Sequence, residues 1–178
     1  MLLVVGASGT GKTSWAKMMA RKFPRPVLVV DPYQEWAGDP GLNRVSHWED
    51  LEPDGINIWN PGPQDDDQLF FAQIAEGAFK IRPHQTLILD EAAHHQVRGF
   101  APEPLLKVAR FHRQLGLTLV ALTQRPAWVD KAFVANTSFV VCFKVSEPND
   151  LHYLKRLGVP LDKIRALEGH QYFVWRVR

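Results

Sequence analysis

The fold is decided by the stretch Leu2-Leu3-Val4-Val5-Gly6-Ala7-Ser8-Gly9-Thr10-Gly11-Lys12-Thr13-Ser14. A short apolar run, predicted as a strand over Leu2–Val5, leads into a glycine-rich turn, and a helix is predicted over Lys12–Lys22. Gly6–Thr13 fits the pattern G-x-x-x-x-G-K-[ST] in the strand–turn–helix context that a phosphate-binding loop requires. Glycines let several backbone N–H groups point inward at phosphates, and the helix N-terminus adds partial positive charge. The sequence therefore predicts a nucleoside triphosphate site, with ATP as the ligand.

The side chains of this loop have predicted roles in binding and catalysis. Lys12 is expected to place its ammonium group on the β- and γ-phosphates. Thr13 is expected to offer its hydroxyl group to Mg²⁺, which also binds phosphate oxygens. A glycine-rich turn without a ligand is the alternative, and the complete pattern argues against it. The predicted nucleotide-binding residues are Gly6, Ala7, Ser8, Gly9, Thr10, Gly11, Lys12, Thr13 and Ser14.

A second apolar run ends in two adjacent carboxylates. The residues Leu87–Leu89 are followed directly by Asp90 and Glu91. Asp90 is predicted to hold Mg²⁺ through a water ligand, and Glu91 to orient and deprotonate the attacking water. Small-molecule kinases with a similar loop need no such base, because their acceptor is not water. Glu91 therefore favours a hydrolase, and the alternative is an ordinary acidic helix start stabilised by the helix dipole.

A third predicted strand, Leu117–Leu122, ends in the polar segment Thr123-Gln124-Arg125-Pro126. If this strand lies between the other two, its tip faces the γ-phosphate. Gln124 could then sense the phosphate or the water, because an amide both donates and accepts hydrogen bonds. The alternative is a polar turn that Pro126 interrupts.

Upstream of this strand, Arg110 and Arg113 are three residues apart and share one face of a predicted helix. Either could be an arginine finger that reaches the ATP of a neighbouring subunit, and Arg113 is the preferred candidate. The alternative is a solvated basic helix face.

Short apolar runs alternate with longer amphipathic stretches, which is typical of an α/β domain. The predicted fold class is a three-layer P-loop NTPase of the RecA-like (ASCE) type, with a mainly parallel central sheet, in one domain over residues 1–178. The stretch Asp31–Pro63 is interpreted as an irregular insertion with one short strand. The predicted strands are Leu2–Val5, Val27–Val30, Ile56–Trp59, Thr86–Leu89, Leu117–Leu122, Ser138–Phe143 and Tyr172–Val177. The predicted helices are Lys12–Lys22, Asp66–Phe79, Pro104–Leu115, Val129–Ala135 and Asn149–Leu157.

The composition indicates the cellular compartment of the protein but says little about its binding partners. A hydrophobic content of 46% in 178 residues supports a sizeable core, and a net charge of +2 neither demands nor excludes nucleic acid. The one cysteine, Cys142, lies in an apolar run and is expected to be buried and inert, which fits a reducing compartment. No apolar run approaches the ~18 residues that a membrane span needs. We expect a soluble cytoplasmic protein, located in the host cytoplasm if the chain is viral.

Four stretches together resemble the FtsK–HerA superfamily of DNA-pumping ATPases. They are the loop Gly6–Thr13, the run Val30-Asp31-Pro32-Tyr33-Gln34-Glu35-Trp36, the pair Asp90-Glu91 and the segment Arg113–Pro126. The second is similar to the Asp-Pro-His-Gly-Glu-Tyr signature of the HerA branch, and the last to the family's Arg-x-x-Gly…Thr-Gln-Arg-Pro segment. The phosphate loop is shared by many ATPases, whereas the Thr-Gln-Arg-Pro segment is much more specific.

The resemblance implies an activity and an assembly. Members of the family form rings, mostly hexameric, that hydrolyse ATP between subunits and drive double-stranded DNA through a central pore. For this chain it implies ATP and Mg²⁺ as cofactors, catalytic roles for Lys12, Glu91, Gln124 and Arg113, and a homo-oligomeric ring, hexameric or pentameric. The short chain resembles the genome-packaging ATPases of membrane-containing double-stranded DNA viruses. We therefore expect a packaging motor, associated with a capsid-vertex or portal protein.

Contacts with DNA are expected mainly at the phosphates, without base reading. Arg98 and Lys107 are the candidate contacts, and the segment His94–Phe100 is a candidate pore loop, with a plain surface loop as the alternative. A metal site at His94 and His95 is not expected, because no Cys or further His cluster completes one. The six tryptophans are scattered, which favours core packing over base stacking.

Three other functions are kept open. One is a filamentous-phage assembly or export ATPase of the zonula-occludens-toxin type, although such proteins usually carry a membrane helix. Another is a small-molecule P-loop kinase, against which Glu91 and the Thr-Gln-Arg-Pro segment argue. The last is a nucleotide-binding switch that hydrolyses slowly and recruits partners. ATP turnover with and without double-stranded DNA separates these functions.

Overall fold

The computed structural model of the chain describes residues 1–60, 72, 85–94 and 101–177. Within those ranges, eight strands form one sheet. The strands are β1 Leu2–Val5, β2 Val27–Val30, β3 Asn43–Arg44, β4 Ile56–Trp59, β5 Gln85–Leu89, β6 Leu117–Thr123, β7 Phe139–Cys142 and β8 Phe173–Arg176. The α-helices are α1 Lys12–Ala20, α2 Glu103–Phe111, α3 Lys131–Ala135, α4 Pro148–Arg156 and α5 Leu161–Ala166. Short 3₁₀ turns cover Trp48–Asp50 and Pro126–Trp128.

The strand order places the three predicted site segments side by side. The order is β3-β4-β2-β5-β6-β1-β7-β8, and all neighbours pair in parallel except β7 and β8, which are antiparallel. β6 therefore lies between the phosphate-loop strand β1 and the acidic strand β5, as expected. Val5 is in register with Thr123, and Leu89 with Ala121. Since the carboxyl ends of parallel strands share one edge, the loop and the two polar tips meet there.

The sheet is covered on both faces, which explains why its central strands are continuous apolar runs. β2, β4 and β5 are buried along their whole length. On one face, Trp15, Ala16 and Ala20 of α1 join a core cluster with alternate strand residues such as Val4 and Val29. On the other face, Leu105 and Val108 of α2 join a second cluster. The fold is therefore a three-layer α/β sandwich with a mainly parallel sheet, which confirms the predicted fold class.

Most predicted elements are present with shifted ends. The predicted helix Lys12–Lys22 ends at Ala20, and Pro104–Leu115 ends at Phe111. The predicted helix Val129–Ala135 begins only at Lys131, because Val129 is extended and Asp130 is the N-cap of the helix. The predicted helix Asp66–Phe79 lies outside the described residues.

Two elements were not predicted from the sequence. The strand β3 has only two residues, and the helix α5 has only six and follows Pro160. Segments of this length carry too few residues for a periodic pattern.

The one cysteine is buried in the core. Cys142 is a free thiol with 0% exposure, and burial raises its pKa to about 12. It is therefore inert packing, as predicted. Among the residues that the structure describes, no helix is both long and apolar enough to cross a bilayer.

Candidate nucleotide site

The loop between β1 and α1 forms a tight turn. Gly9 and Gly11 have φ angles of +73° and +99°, in the left-handed region that favours glycine. A Cβ atom at Gly6 would lie 2.6 Å from Cβ of Phe143 and 2.6 Å from Oγ1 of Thr10, so no side chain fits there. The hydroxyl of Thr10 donates to the carbonyl of Ala7 at 2.8 Å, which closes the turn. The loop therefore directs the N-terminus of α1 toward the carboxyl edge of the sheet.

Lys12 is buried at the first position of α1, with 7% exposure. Its ammonium donates to the carbonyl of Ala7 at 2.9 Å. Burial lowers the pKa of Lys12, and the charges of Glu91 and Asp90 oppose that shift. The ammonium group is thus a buried cation near two carboxylates. Because it is buried, it carries little water that a phosphate oxygen would have to displace.

Asp90 follows β5 directly and is also buried, with 7% exposure. Burial raises the pKa of its carboxyl group to about 6, although a hydrogen bond from Trp36 opposes the shift. The indole Nε1 of Trp36 donates to Oδ2 of Asp90 at 2.7 Å. Within the described part of the chain, this is the one side-chain hydrogen bond of Asp90, which leaves the second oxygen, Oδ1, for a metal ion or its water ligand.

Glu91 has a φ of +57°, which is uncommon for a residue other than glycine. Its carboxylate accepts hydrogen bonds from the Thr123 hydroxyl at 3.0 Å and from the Gln124 backbone N–H at 3.1 Å. Burial raises the pKa of Glu91, while these hydrogen bonds and the charge of Lys12 act in the opposite direction. The tip of β6 therefore holds Glu91 and tunes its basicity.

These groups converge on one cleft of about 170 Å³. The structure thus brings together Lys12, Thr13, Asp90, Glu91 and Gln124, which the sequence predicts as site residues. The lining residues are Ser8, Gly9, Gly11, Lys12, Thr13, Ser14, Tyr33, Glu35, Asp90, Glu91, Gln124 and His170.

The same cleft supplies a donor set that suits Mg²⁺. Thr13 offers a hydroxyl group and Asp90 a carboxylate, and both line the cleft beside the phosphate loop. Mg²⁺ prefers oxygen ligands and usually keeps several waters while it binds one or two carboxylates and substrate phosphates. The residues present therefore fit a magnesium ion at the predicted place.

Sequence reasoning missed three residues that line the cleft, namely Tyr33, Glu35 and His170. Tyr33 and Glu35 lie in the run Val30–Trp36, whose similarity to the HerA signature indicates a family but not a position in the cleft. A Cβ atom at Gly11 would lie 3.0 Å from Nδ1 of His170, so this histidine packs against the loop. Nothing in the local sequence around His170 indicates that position, because it depends on the docking of β8.

Arg113 does not reach this cleft. It lies between α2 and β6, at the amino edge of the sheet, and its guanidinium donates to Oγ of Ser138 at 3.1 Å. Arg113 lines a separate open groove together with Arg156 and Arg176. A catalytic role for Arg113 within its own subunit is thus incompatible with the fold.

The other basic residues of interest also lie away from the cleft or are paired. Arg125 forms an ion pair with Asp150 at 2.9 Å, and the exposed Arg110 lies 4.0 Å from Glu103. Lys107 is an exposed residue of α2 that does not line the cleft. The second DNA candidate, Arg98, lies outside the described residues, as do 95–100 of the candidate pore loop.

A phosphate loop that leads from a parallel strand into a helix, with acids at the end of another strand one position further along the sheet, defines the class of P-loop NTPase folds. No protein-family model and no curated protein sequence matches the chain.

Solved structures do match. One is the genome packaging NTPase B204 from Sulfolobus turreted icosahedral virus 2 in complex with AMPPCP, with a TM-score of 0.79 and 18% identity over 99% of this chain and 92% of that chain. Another is B204 from Sulfolobus turreted icosahedral virus, with a TM-score of 0.73, 18% identity, and coverage of 99% of this chain and 91% of that chain. At these identities the likeness shows the fold.

A further match comes from a much longer protein, the cytoplasmic domain of the type VII secretion ATPase EccC from Thermomonospora curvata. Its TM-score is 0.64 at 16% identity, over 98% of this chain and 24% of that chain. The resemblance predicted from the motifs is therefore confirmed as a likeness of fold to packaging and secretion ATPases.

Proposed function

We propose that this chain is an ATPase that uses hydrolysis to translocate double-stranded DNA, and that its role is to package a viral genome. One observation carries the proposal: Lys12 at the start of α1 and the acids Asp90 and Glu91 after β5 line one cleft, and the tip of β6 lies between β1 and β5. A kinase needs no carboxylate in the place of Glu91. The similar structures support the ATP ligand, because B204 was solved in complex with AMPPCP and with ATP-gammaS.

In the proposed mechanism, the loop N–H groups and Lys12 bind the phosphates, and Thr13 and Asp90 are the residues that would hold Mg²⁺. A bound Mg²⁺ would neutralise charge that develops on the phosphate oxygens. Glu91 orients the attacking water and accepts its proton, while Thr123 and the Gln124 N–H keep the carboxylate in place. Gln124 also lines the cleft, and its side-chain amide is proposed to sense the γ-phosphate or the water, because an amide both donates and accepts hydrogen bonds.

The proposed active unit is a homo-oligomeric ring, hexameric or pentameric, in which a neighbouring subunit supplies the arginine, because no arginine among the described residues lines the cleft. Arg113, Arg156 and Arg176 line one groove at the other edge of the sheet. Within the described ranges, none of these guanidinium groups forms an ion pair. A head-to-tail contact would bring this basic groove to the acidic, nucleotide-loaded cleft of the next subunit, with Arg113 as the finger.

The proposed substrate is duplex DNA bound through its phosphates without sequence preference, with Lys107 and Arg98 as candidate contacts. The similarity to B204, which is described as a genome packaging NTPase and as a DNA-packaging ATPase, supports packaging as the role. On this proposal the chain, a single ATPase domain, works in the host cytoplasm and docks on a capsid-vertex or portal protein.

The deciding experiment measures ATP turnover with and without double-stranded DNA, at low and high salt, for the wild type and for Glu91→Gln. We expect stimulation by DNA that weakens as salt rises, because phosphate contacts release counterions. Glu91→Gln should abolish both rates while nucleotide binding persists. Basal turnover without DNA stimulation would favour the nucleotide switch, and phosphate transfer to a metabolite would favour the kinase.

A further inference from the structure

Asp90 is held by a residue from a distant part of the chain. The indole of Trp36 donates its only N–H to Oδ2 of Asp90, at 2.7 Å. Both groups are buried, with Trp36 at 1% exposure and Asp90 at 7%. Hydrogen bonds to charged groups in buried surroundings are short and strong, so this contact fixes the plane and rotation of the carboxylate.

Contacts to both the backbone and the ring of Trp36 fix its position. The carboxylate of Asp31, with 0% exposure, accepts the backbone N–H groups of Glu35 at 3.1 Å and of Trp36 at 2.9 Å. The Asn60 side chain donates to the same carboxylate at 3.1 Å, which ties the turn to the end of β4. The Trp36 ring belongs to the buried cluster that also contains Ile88, two residues before Asp90. The indole therefore has little freedom to leave Asp90.

Other acidic residues lie near the Asp90 carboxylate, so a hydrogen bond that fixes its orientation matters for metal binding. Glu35 and Glu91 line the same cleft, so a freely rotating Asp90 would meet like charges there. Because the indole takes Oδ2, the two carboxylate oxygens are no longer equivalent. Residues that hydrogen-bond to metal-ligating groups orient them and raise metal affinity.

We infer that Trp36 is a positioning residue for the metal site, whose N–H occupies Oδ2 of Asp90 and reserves Oδ1 for the water shell of Mg²⁺. The run Asp31–Trp36 then has a structural function. Asp31 holds the turn that positions Trp36, and Trp36 orients the Asp90 carboxylate in the cleft. This inference rests on the proposed function for the identity of the ligand, Mg²⁺ with ATP.

The test measures binding of a fluorescent, non-hydrolysable ATP analogue as Mg²⁺ is titrated, so no turnover is needed. Trp36→Phe keeps a buried aromatic ring and removes the N–H donor. We expect the half-saturating Mg²⁺ concentration to rise by about 10-fold or more, while binding of the analogue in EDTA changes little. The control is Trp175→Phe, which removes an indole from β8 on the other side of β1 and should leave the titration unchanged.

Asp90→Asn and the double variant show whether Trp36 acts through Asp90. If it does, Trp36→Phe adds nothing to the Mg²⁺ dependence in the Asp90→Asn background. An unchanged titration for Trp36→Phe, or an equal effect in both backgrounds, would overturn the inference. If the wild type binds the analogue without any response to Mg²⁺, the proposed function fails instead.

A comparison of the wild type with Asp90→Asn covers the case in which Trp36→Phe does not fold. Each tryptophan gives one indole N–H resonance in a ¹H–¹⁵N NMR spectrum. A hydrogen bond to a carboxylate shifts the proton downfield, so one indole resonance should move upfield in Asp90→Asn. An Asp90→Asn spectrum with every indole proton unmoved would contradict the geometry and the inference.

Discussion

Glu91 shows how a single residue is tuned by its neighbours. The Thr123 hydroxyl accepts a hydrogen bond from the Arg125 N–H at 3.0 Å, so its one proton is free to point at Glu91. That donation favours the ionised carboxylate and works against the burial that raises the pKa of Glu91. Thr123 therefore helps to keep the proposed base ready to accept a proton near neutral pH.

Replacing Thr123 should move the pH dependence of hydrolysis. Thr123→Val keeps the side-chain shape and removes the donor, so the pKa of Glu91 rises further and less base is ionised at a given pH. The acid limb of the kcat profile should shift to higher pH, while Thr123→Ser should stay near the wild type. Rates measured between pH 5 and 9 check this, and a Thr123→Val limb at the wild-type position would contradict it.

Asp90 should impose a stability cost on the ligand-free protein. Its folded pKa, about 6, is raised above the ordinary value of 3.8, so the native state holds a proton that the unfolded state releases in that window. Stability therefore falls as pH rises from about 4 to 6, and the loss persists above it. Asp90→Asn should stabilise the protein by roughly 3 kcal/mol at pH 8 and by much less at pH 4.

Thermal unfolding in EDTA at both pH values checks this prediction. The control is Asp162→Asn, an exposed acid on α5, which should change little at either pH. An Asp90→Asn gain that is equal at pH 4 and pH 8 would show that the ionised carboxylate is not its source.

Residues whose roles depend on local pattern could be predicted, and those that depend on packing could not. Lys12, Thr13 and the two acids follow from short motifs next to strands, and the structure places all of them at one cleft. Trp36 contacts Asp90 through a fold that joins two distant segments, and no spacing in the sequence encodes that contact. The same holds for His170 against Gly11.

At the scale of elements, the segment after β6 is anchored away from the nucleotide. Arg125 forms an ion pair with the buried Asp150, and its guanidinium stacks over the Trp128 ring at 4.3 Å. The N–H of Ala127 also donates to Asp150, at 3.1 Å. The arginine of the Thr-Gln-Arg-Pro segment thus fastens the turn Pro126–Trp128 to α4, and this keeps the tip of β6 in position.

Asp150→Ala should therefore weaken the fold more than nucleotide binding. It leaves the Ala127 N–H without its partner and Arg125 without its buried counter-ion, at a cost of about 2 kcal/mol. Thermal unfolding should show a loss of about 4–8 °C, while the folded variant still binds the ATP analogue. His152→Ala, an exposed change on the same helix, is the control. A variant with unchanged melting but lost binding would assign Arg125 a direct role at the nucleotide.

The elements themselves were predictable where apolar runs are long enough to be buried on both faces. β1, β2 and β4 match their predicted bounds, and β5 and β6 differ by one residue at an end. The ends of helices were less predictable, because capping depends on contacts outside the helix. The N-cap of α3, for example, is the Asp130 side chain, which accepts the Ala132 N–H and also the Ala101 N–H from a distant segment.

At the scale of the whole molecule, the two halves of the proposed active site lie at opposite edges of the sheet. Gln124 follows the carboxyl end of β6, and Arg113 precedes its amino end. A strand of seven residues spans about 20 Å at ~3.3 Å per residue, too far for an arginine side chain to cover. One chain therefore cannot place Arg113 on its own triphosphate, and only a neighbouring chain of the proposed ring would supply this arginine.

Mixing two inactive variants tests this division of labour. Lys12→Ala lacks phosphate binding but keeps Arg113, and Arg113→Ala keeps the complete cleft, so each should hydrolyse ATP very slowly alone. In mixed rings, a site is complete where the cleft of an Arg113→Ala subunit faces the Arg113 side chain of a Lys12→Ala subunit. Random mixing in equal amounts makes about a quarter of the interfaces complete, so DNA-stimulated turnover should rise toward that fraction of the wild-type rate. Arg165→Ala, an exposed change on α5, is the control and should hydrolyse ATP like the wild type. A mixture that gives only the mean of its two components would refute action in trans, because it would show that no subunit completes the site of another.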